Sequence, residues 1–106
     1  MTDDVLAQLA AIIKDRKSAP ADKSYTRQLL DAGPSRCAKK LGEEAVETVM
    51  AGVAEDDDAL RAEAADLLYH LLVLLESRAI AIDDVLAVLE KRMGLSGLEE
   101  KASRTQ

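Results

Sequence analysis

Apolar residues recur along this chain at intervals of three and four, the period of helices that pack by one face. Alternating apolar and polar runs rich in β-branched or aromatic residues are missing, so strands are not expected. Val5, Leu6, Leu9, Ile12 and Ile13 share one face of a first helix that Asp3 or Asp4 can cap. The chain breaks around Ser18 to Pro20. Ser24 then caps a short second helix carrying Leu29 and Leu30, and Gly33-Pro34 stops it. Ser35 caps a third helix that runs to about Ala54. Glu55 to Asp58 make a short turn, whose last acids suit the positive end of a fourth helix from about Ala59 to Ser77. A fifth begins near Asp83 and stops at Met93-Gly94. Ala81 stands where a Ser or Thr cap would help that helix, so its start must rely on Asp83 or on packing. The pattern describes an all-α bundle of about five helices, one domain over residues 1–94 followed by a polar tail over 95–106.

The third and fourth helices differ in kind. On the third, Ala38, Leu41, Ala45, Val46, Val49, Met50 and Val53 cover about half the circumference, with Lys40, Glu43, Glu44 and Glu47 on the other half. Taken alone, that half reads as a solvated face. The fourth is apolar nearly all round from Leu67 to Leu75, with His70 the exception. Such a helix must be covered on every side, and four short neighbours are too few to do it. A homodimer with the fourth helix at its centre is therefore expected.

Composition narrows the class. The 106 residues are 48% apolar, which excludes disorder throughout, and their length allows one compact domain. No run approaches the ~20 apolar residues of a membrane span. The acidic opening, Met1 to Asp4, lacks the basic-then-apolar order of a secretory signal, and the single Cys37 cannot form an internal disulfide; both fit the cytoplasm. The core must do without Phe or Trp and with two Tyr. A net charge of −6 disfavours nucleic acid as a partner. The charge is uneven, however. Between Glu43 and Asp66 lie nine carboxylates and one base, Arg61, whereas Arg16 to Lys40 holds seven bases and two acids.

Within the acidic window, four carboxylates stand out. Glu63 lies about 20° from Leu74 and about 40° from Leu67 around the fourth helix, at the margin of its leucine stripe. Asp66 and His70 continue that line. A carboxylate on a buried helix is costly unless it is paired or binds metal, and Arg61 points to another face. The short turn makes the third and fourth helices antiparallel. At ~1.5 Å rise per residue, Glu47 and Asp66 both stand ~12 Å above it. Glu44-x-x-Glu47 and Glu63-x-x-Asp66 can then converge four oxygen ligands on one point. All-oxygen ligation suits Mg²⁺ or Mn²⁺, hard ions that bridge to phosphates.

Glu43-Glu44-x-x-Glu47 followed by Glu63-x-x-Asp66 resembles the metal motif of the MazG-like all-α nucleotide pyrophosphohydrolases. The flanking blocks narrow the resemblance: Ser24-Tyr25-Thr26-x-x-Leu29, Gly33-Pro34, Lys40-x-Gly42-Glu43-Glu44-Ala45-x-Glu47, Glu63-Ala64-Ala65-Asp66-Leu67-x-Tyr69-His70 and Glu100 to Arg104. Together they are similar to the phosphoribosyl-ATP pyrophosphohydrolase family of histidine biosynthesis, over nearly the whole chain. The resemblance implies a MazG-like fold and hydrolysis of the α–β phosphoanhydride of phosphoribosyl-ATP. It implies Glu44, Glu47, Glu63 and Asp66 as Mg²⁺ ligands, with Glu43 a further ligand or the group that orients the attacking water. The substrate carries a triphosphate and a ribose 5-phosphate, which require more cations than one metal. Lys40, one turn before Glu44, is the first choice for a phosphate contact, although an i,i+4 pair with Glu44 is the bland alternative. Arg16, Lys23, Arg27, Lys101 and Arg104 are further candidates. Tyr25 and Tyr69 are core residues or platforms for adenine, and His70 stands one turn from Asp66, where it could support a ligand.

Three other readings use the same residues. A MazG-like pyrophosphatase for a free nucleotide such as dUTP would share the metal site and differ in the basic and tail blocks. A helical interaction module would need the acids only for solubility. A di-iron bundle wants Glu-x-x-His on two helices, and the sequence has a single His, four residues after Asp66.

Overall fold

The computed structural model describes residues 5–93. Five helices follow in order: α1 (Val5–Asp15), trailed by a 3₁₀ turn over Arg16–Ser18, α2 (Tyr25–Ala32), α3 (Pro34–Ala54), α4 (Asp57–Ser77) and α5 (Ile82–Arg92). No strand occurs among the described residues, so the all-α class expected from the apolar spacing is the one observed. Asp3, Asp4 and the tail lie outside the described residues.

The helix ends follow local chemistry, with two departures from expectation. Ser24 caps α2 as read, its Oγ accepting the Arg27 N–H at 3.1 Å. α3 begins two residues before the expected Ser35 cap would allow. Pro34 is its first residue, where a fixed φ is preorganised and a missing N–H costs nothing. The bend that permits this falls on Gly33, whose φ of 94° lies in the left-handed region that glycine alone enters freely. α4 begins two residues early because Asp56 serves as its cap, accepting the Ala59 N–H at 2.8 Å. α5 starts after Ala81 without a side-chain cap, and Asp83 and Asp84 sit in its first turn, where acids suit the helix dipole. At the far end of α4, Ala79 adopts φ 56°. Ile80 N–H reaches Leu75 O at 2.9 Å and Ala79 N–H reaches Glu76 O at 2.9 Å, the crossed bonds of a Schellman closure.

α3 and α4 form the main packing pair. They run antiparallel: the position of a Cβ on Gly52 lies 3.7 Å from Leu60, and further along Thr48 meets Glu63. α1 crosses α4, α2 packs against both α3 and α4, and α5 rests on α1. The core is Ile13, Leu29, Cys37, Leu72 and Val73, with Leu6, Leu9, Ala10, Leu30, Tyr69, Leu74, Leu75 and Ile82 around it. Cys37 joins two helices through its thiol, which donates to Leu29 O at 3.3 Å; burial pushes its pKa up.

Two expectations about faces are corrected. Val5 and Ile12 are exposed, so α1 packs by Leu6, Leu9, Ala10 and Ile13. α3 is turned the other way round from the apolar-face reading. Its inner stripe is Cys37, Glu44, Thr48 and Ala51, while Val46, Val49, Met50 and Val53 face outward, Val53 at 83% exposure. α1, α2 and α3 pack on α4, which buries His70, Leu72 and Val73, and of its large apolar residues Leu68 is exposed, at 44%. α3 is as long as α4, 21 residues each, and shields it along its length.

The corrected face of α1 is testable. Ile13 is 1% exposed and Ile12 is 48% exposed. Ile13→Ala is expected to cost about 2–5 kcal/mol in urea unfolding, and Ile12→Ala less than about 1 kcal/mol.

Candidate metal centre

α3 supplies Glu44, and α4 supplies Glu63 and Asp66 one helical turn apart. One carboxylate oxygen from each lies within 4.8 Å of the others. Oε2 of Glu44 and Oε2 of Glu63 are buried and have no hydrogen-bond partner. None of the three acids forms an ion pair among the described residues: Arg61 pairs with Asp58 at 2.8 Å and Lys40 with Glu43 at 3.1 Å. Burial raises the pKa of Glu44 and of Glu63, and hydrogen bonding to Glu47 and the nearby charges of Glu47 and Asp66 raise both further. Glu47 is itself exposed and stands at the edge of the cluster, against both carboxyls.

Three converging carboxylates, two of them with a buried and unsatisfied oxygen, form a site that positive charge would stabilise. A hard divalent cation could meet these three oxygens together, and the absence of Cys and His from the set favours Mg²⁺ or Mn²⁺ over softer metals. The residues fit such an ion.

Other candidates take up varied positions. Lys40 is half-buried beside the cluster, and its hydrogen bond to Glu43 raises its own pKa and lowers that of Glu43. Glu43 is thereby held on the outer side of α3, apart from the three converging acids. The ion pair of Lys40 is to Glu43, not the i,i+4 pair with Glu44. His70 is buried, and its Nδ1–H donates to the Asp66 carbonyl at 2.9 Å. That bond makes Nδ1 the donor, and Nε2 faces the Tyr25 hydroxyl at 3.4 Å. Tyr25 is about half exposed at the rim. Tyr69 packs edge-on against His70 with ring centres 4.8 Å apart, and its hydroxyl bonds the Thr26 Oγ1, so it belongs to the wall. Arg27 is committed elsewhere: Nε meets Asp31 at 3.0 and 2.9 Å, and Nη1 donates to Ala19 O at 2.7 Å. Arg16 is exposed, near enough to Tyr69 to lower its pKa against the larger effect of burial. Lys23 is exposed in the loop before α2. Lys101 and Arg104 lie outside the described residues.

Thr48 was not among the candidates. Its hydroxyl reaches Glu44 O at 2.8 Å and Glu63 O at 3.1 Å, at the level of the acids. Its only mark in the sequence is its place one turn after Glu44.

Residues 6–93 match the sequence family described as phosphoribosyl-ATP pyrophosphohydrolase. The chain belongs to this family. It is 58% identical over 98 residues to phosphoribosyl-ATP pyrophosphatase 1 of Bradyrhizobium diazoefficiens, covering 92% of each chain. It is 56% identical over 98 residues to phosphoribosyl-ATP pyrophosphatase of Nitrobacter winogradskyi, covering 92% of this chain and 84% of the relative. With the enzyme of that name from Dinoroseobacter shibae the identity is 55% over 100 residues, 94% of this chain and 98% of the relative. The chain is thus a hydrolase of the all-α class, and no helix among the described residues is long and apolar enough to cross a membrane.

The repulsion within the cluster has a measurable sign. A carboxyl whose pKa is raised on folding binds more protons in the folded chain, so stability falls as pH rises through the raised value. In EDTA at neutral pH, Glu63→Gln is therefore expected to melt a few degrees above the unsubstituted protein. That advantage should shrink as pH falls toward the ordinary carboxylate range. Added MgCl₂ should raise the melting temperature of the unsubstituted protein and leave that of Glu63→Gln nearly unchanged.

Proposed function

We propose that this protein is a phosphoribosyl-ATP pyrophosphohydrolase that acts in the cytoplasm, at the second step of histidine biosynthesis. Its reaction is the Mg²⁺-dependent attack of water on the α-phosphorus of 1-(5-phosphoribosyl)-ATP. The α–β anhydride bond breaks, leaving 1-(5-phosphoribosyl)-AMP and pyrophosphate, and one proton is released. The observation that carries this reading is the pair of buried, unpartnered carboxylate oxygens on Glu44 and Glu63, next to Asp66, in a chain of this family.

Glu44, Glu47, Glu63 and Asp66 would hold Mg²⁺. The ion neutralises the polyphosphate and lowers the pKa of a bound water when present. The chain's own residues do the rest. A carboxylate of the site accepts the water's proton, as general-base chemistry requires. Lys40 exchanges Glu43 for a phosphate oxygen, which frees Glu43 to orient water. Tyr25, held at the rim by His70, offers its ring to the adenine and its hydroxyl to the ribose phosphates. Arg16 and Lys23 add positive charge on the same approach, and Lys101 and Arg104 are proposed to do so from the tail beyond the domain of residues 1–94. Arg27, with its guanidinium already engaged, contributes by holding the loop before α2. Phosphate transfer of this kind depends on charge stabilisation and positioning rather than covalent intermediates.

Pyrophosphate release from phosphoribosyl-ATP, ATP and dUTP, each with Mg²⁺ or EDTA, tests the reading. Release is expected from phosphoribosyl-ATP with Mg²⁺ alone, and Asp66→Asn should lower kcat/KM by at least about 100-fold. Equal rates on the three nucleotides would overturn the substrate, and full activity in Asp66→Asn would overturn the metal site.

We also propose a homodimer, joined through the outer face of α3 in place of the α4 centre first expected. Val46, Val49, Met50 and Val53 line that face, and Gly42 shares it. A Cβ on Gly42 meets nothing within 4 Å in its own chain, leaving room for a second backbone to approach. Light scattering at micromolar concentration should give about twice the 11.4 kDa of the chain, and Val49→Asp with Val53→Asp should halve that mass. A monomeric mass for the unsubstituted protein would reject the dimer.

A further inference from the structure

Thr48 is half-buried on the inner stripe of α3, between the two helices that carry the acids. A threonine that bonds the carbonyl four residues back is ordinary in helices and carries little meaning alone. Here the same hydroxyl also reaches across to α4. It lies 2.8 Å from Glu44 O and 3.1 Å from Glu63 O, so its single proton is shared between the backbones of two acids on different helices. Those are the two residues whose Oε2 atoms are buried without a partner. Both carbonyls already accept a bond in their own helix ladders, and the hydroxyl uses their second lone pairs.

Like charges on Glu44 and Glu63 push α3 and α4 apart whenever no cation lies between them. The Thr48 hydroxyl opposes that separation at the height where it arises, pulling on the backbone of each acid. We propose that Thr48 is a positioning residue that sets the separation of Glu44 and Glu63 and so preorganises their oxygens for a divalent ion. The assignment rests on the metal-dependent reading of the site given above. A polar group that orients a metal ligand from outside its coordination sphere typically changes affinity by 10–100-fold when removed. Thr48→Val keeps the shape and the β-branch and deletes only the donor. Thr48→Ser keeps the donor.

The test is Mg²⁺ binding to the free protein, measured by titration calorimetry and by the upward shift of melting temperature with MgCl₂. Thr48→Val is expected to raise the Mg²⁺ Kd about tenfold, while Thr48→Ser stays within about twofold of the unsubstituted protein. The rate on phosphoribosyl-ATP should then need more Mg²⁺ in Thr48→Val and recover at saturation. A residue that only stabilises the helix pair would lower the melting temperature equally in EDTA and MgCl₂ and leave Kd unmoved; that result overturns the proposal. Should Thr48→Val fail to fold, Thr48→Ala against Thr48→Ser decides, and equal Mg²⁺ affinities in that pair overturn it as well. No Mg²⁺ binding by the unsubstituted protein would bring down the metal reading and this proposal with it. Binding there with an unchanged Kd in Thr48→Val would bring down this proposal alone.

Discussion

Glu44 and Glu63 each hold one carboxylate oxygen out of water with no hydrogen-bond partner, and that cost shapes the helices around them. Burying a charged group without a partner is among the most expensive arrangements a fold can contain. The surroundings answer it by being polar where an ordinary helix pair is apolar. Thr48 and Glu44 take the inner stripe of α3 alongside the small Ala51, and the larger Val46, Val49, Met50 and Val53 are turned outward. The apolar core moves to the other half of the molecule. Ile13 from α1, Leu29 from α2, Cys37 from the first turn of α3, and Leu72 and Val73 from the second half of α4 gather there, away from the acids.

That division explains how a small helical protein tolerates such a cluster. The half around Val73 supplies packing, and the half around Asp66 holds charge. His70 sits between them, buried, with its Nδ1 on the Asp66 carbonyl, its Nε2 toward Tyr25 and its ring against Tyr69. A single imidazole thus links the apolar wall, the acid-bearing turn of α4 and the exposed ring at the rim.

The helices were legible in the sequence because spacing and caps report local physics. Ser24, Gly33 and the three-and-four spacing led to elements that the structure contains. Where the reading slipped, two local signals competed. Ser35 is a good cap, but Pro34 beside a left-handed Gly33 starts the helix sooner; α4 likewise starts before Ala59, because Asp56 accepts the Ala59 N–H as its cap. Faces were harder. Apolar content around α3 pointed Val46 and Val49 inward, since periodicity records which residues share a side and not what that side meets. The acids fared better: of the four expected to converge, Glu44, Glu63 and Asp66 meet, and Glu47 stands exposed at the edge. Glu43 could not be separated from them by adjacency alone, because its pairing with Lys40 depends on rotamers. Thr48 was illegible: a single hydroxyl with two backbone acceptors leaves no periodic trace.

The seating of Cys37 gives the molecule its own clock. The sequence holds one thiol, which is 1% exposed, bonded to a carbonyl of α2 and raised in pKa by burial. Only a thiolate reacts with disulfide reagents, and this one meets them only when the helices packed around it open. The pace of its modification therefore counts openings of the core half of the fold. It does so at one atom, without an introduced label and at a distance from the acids.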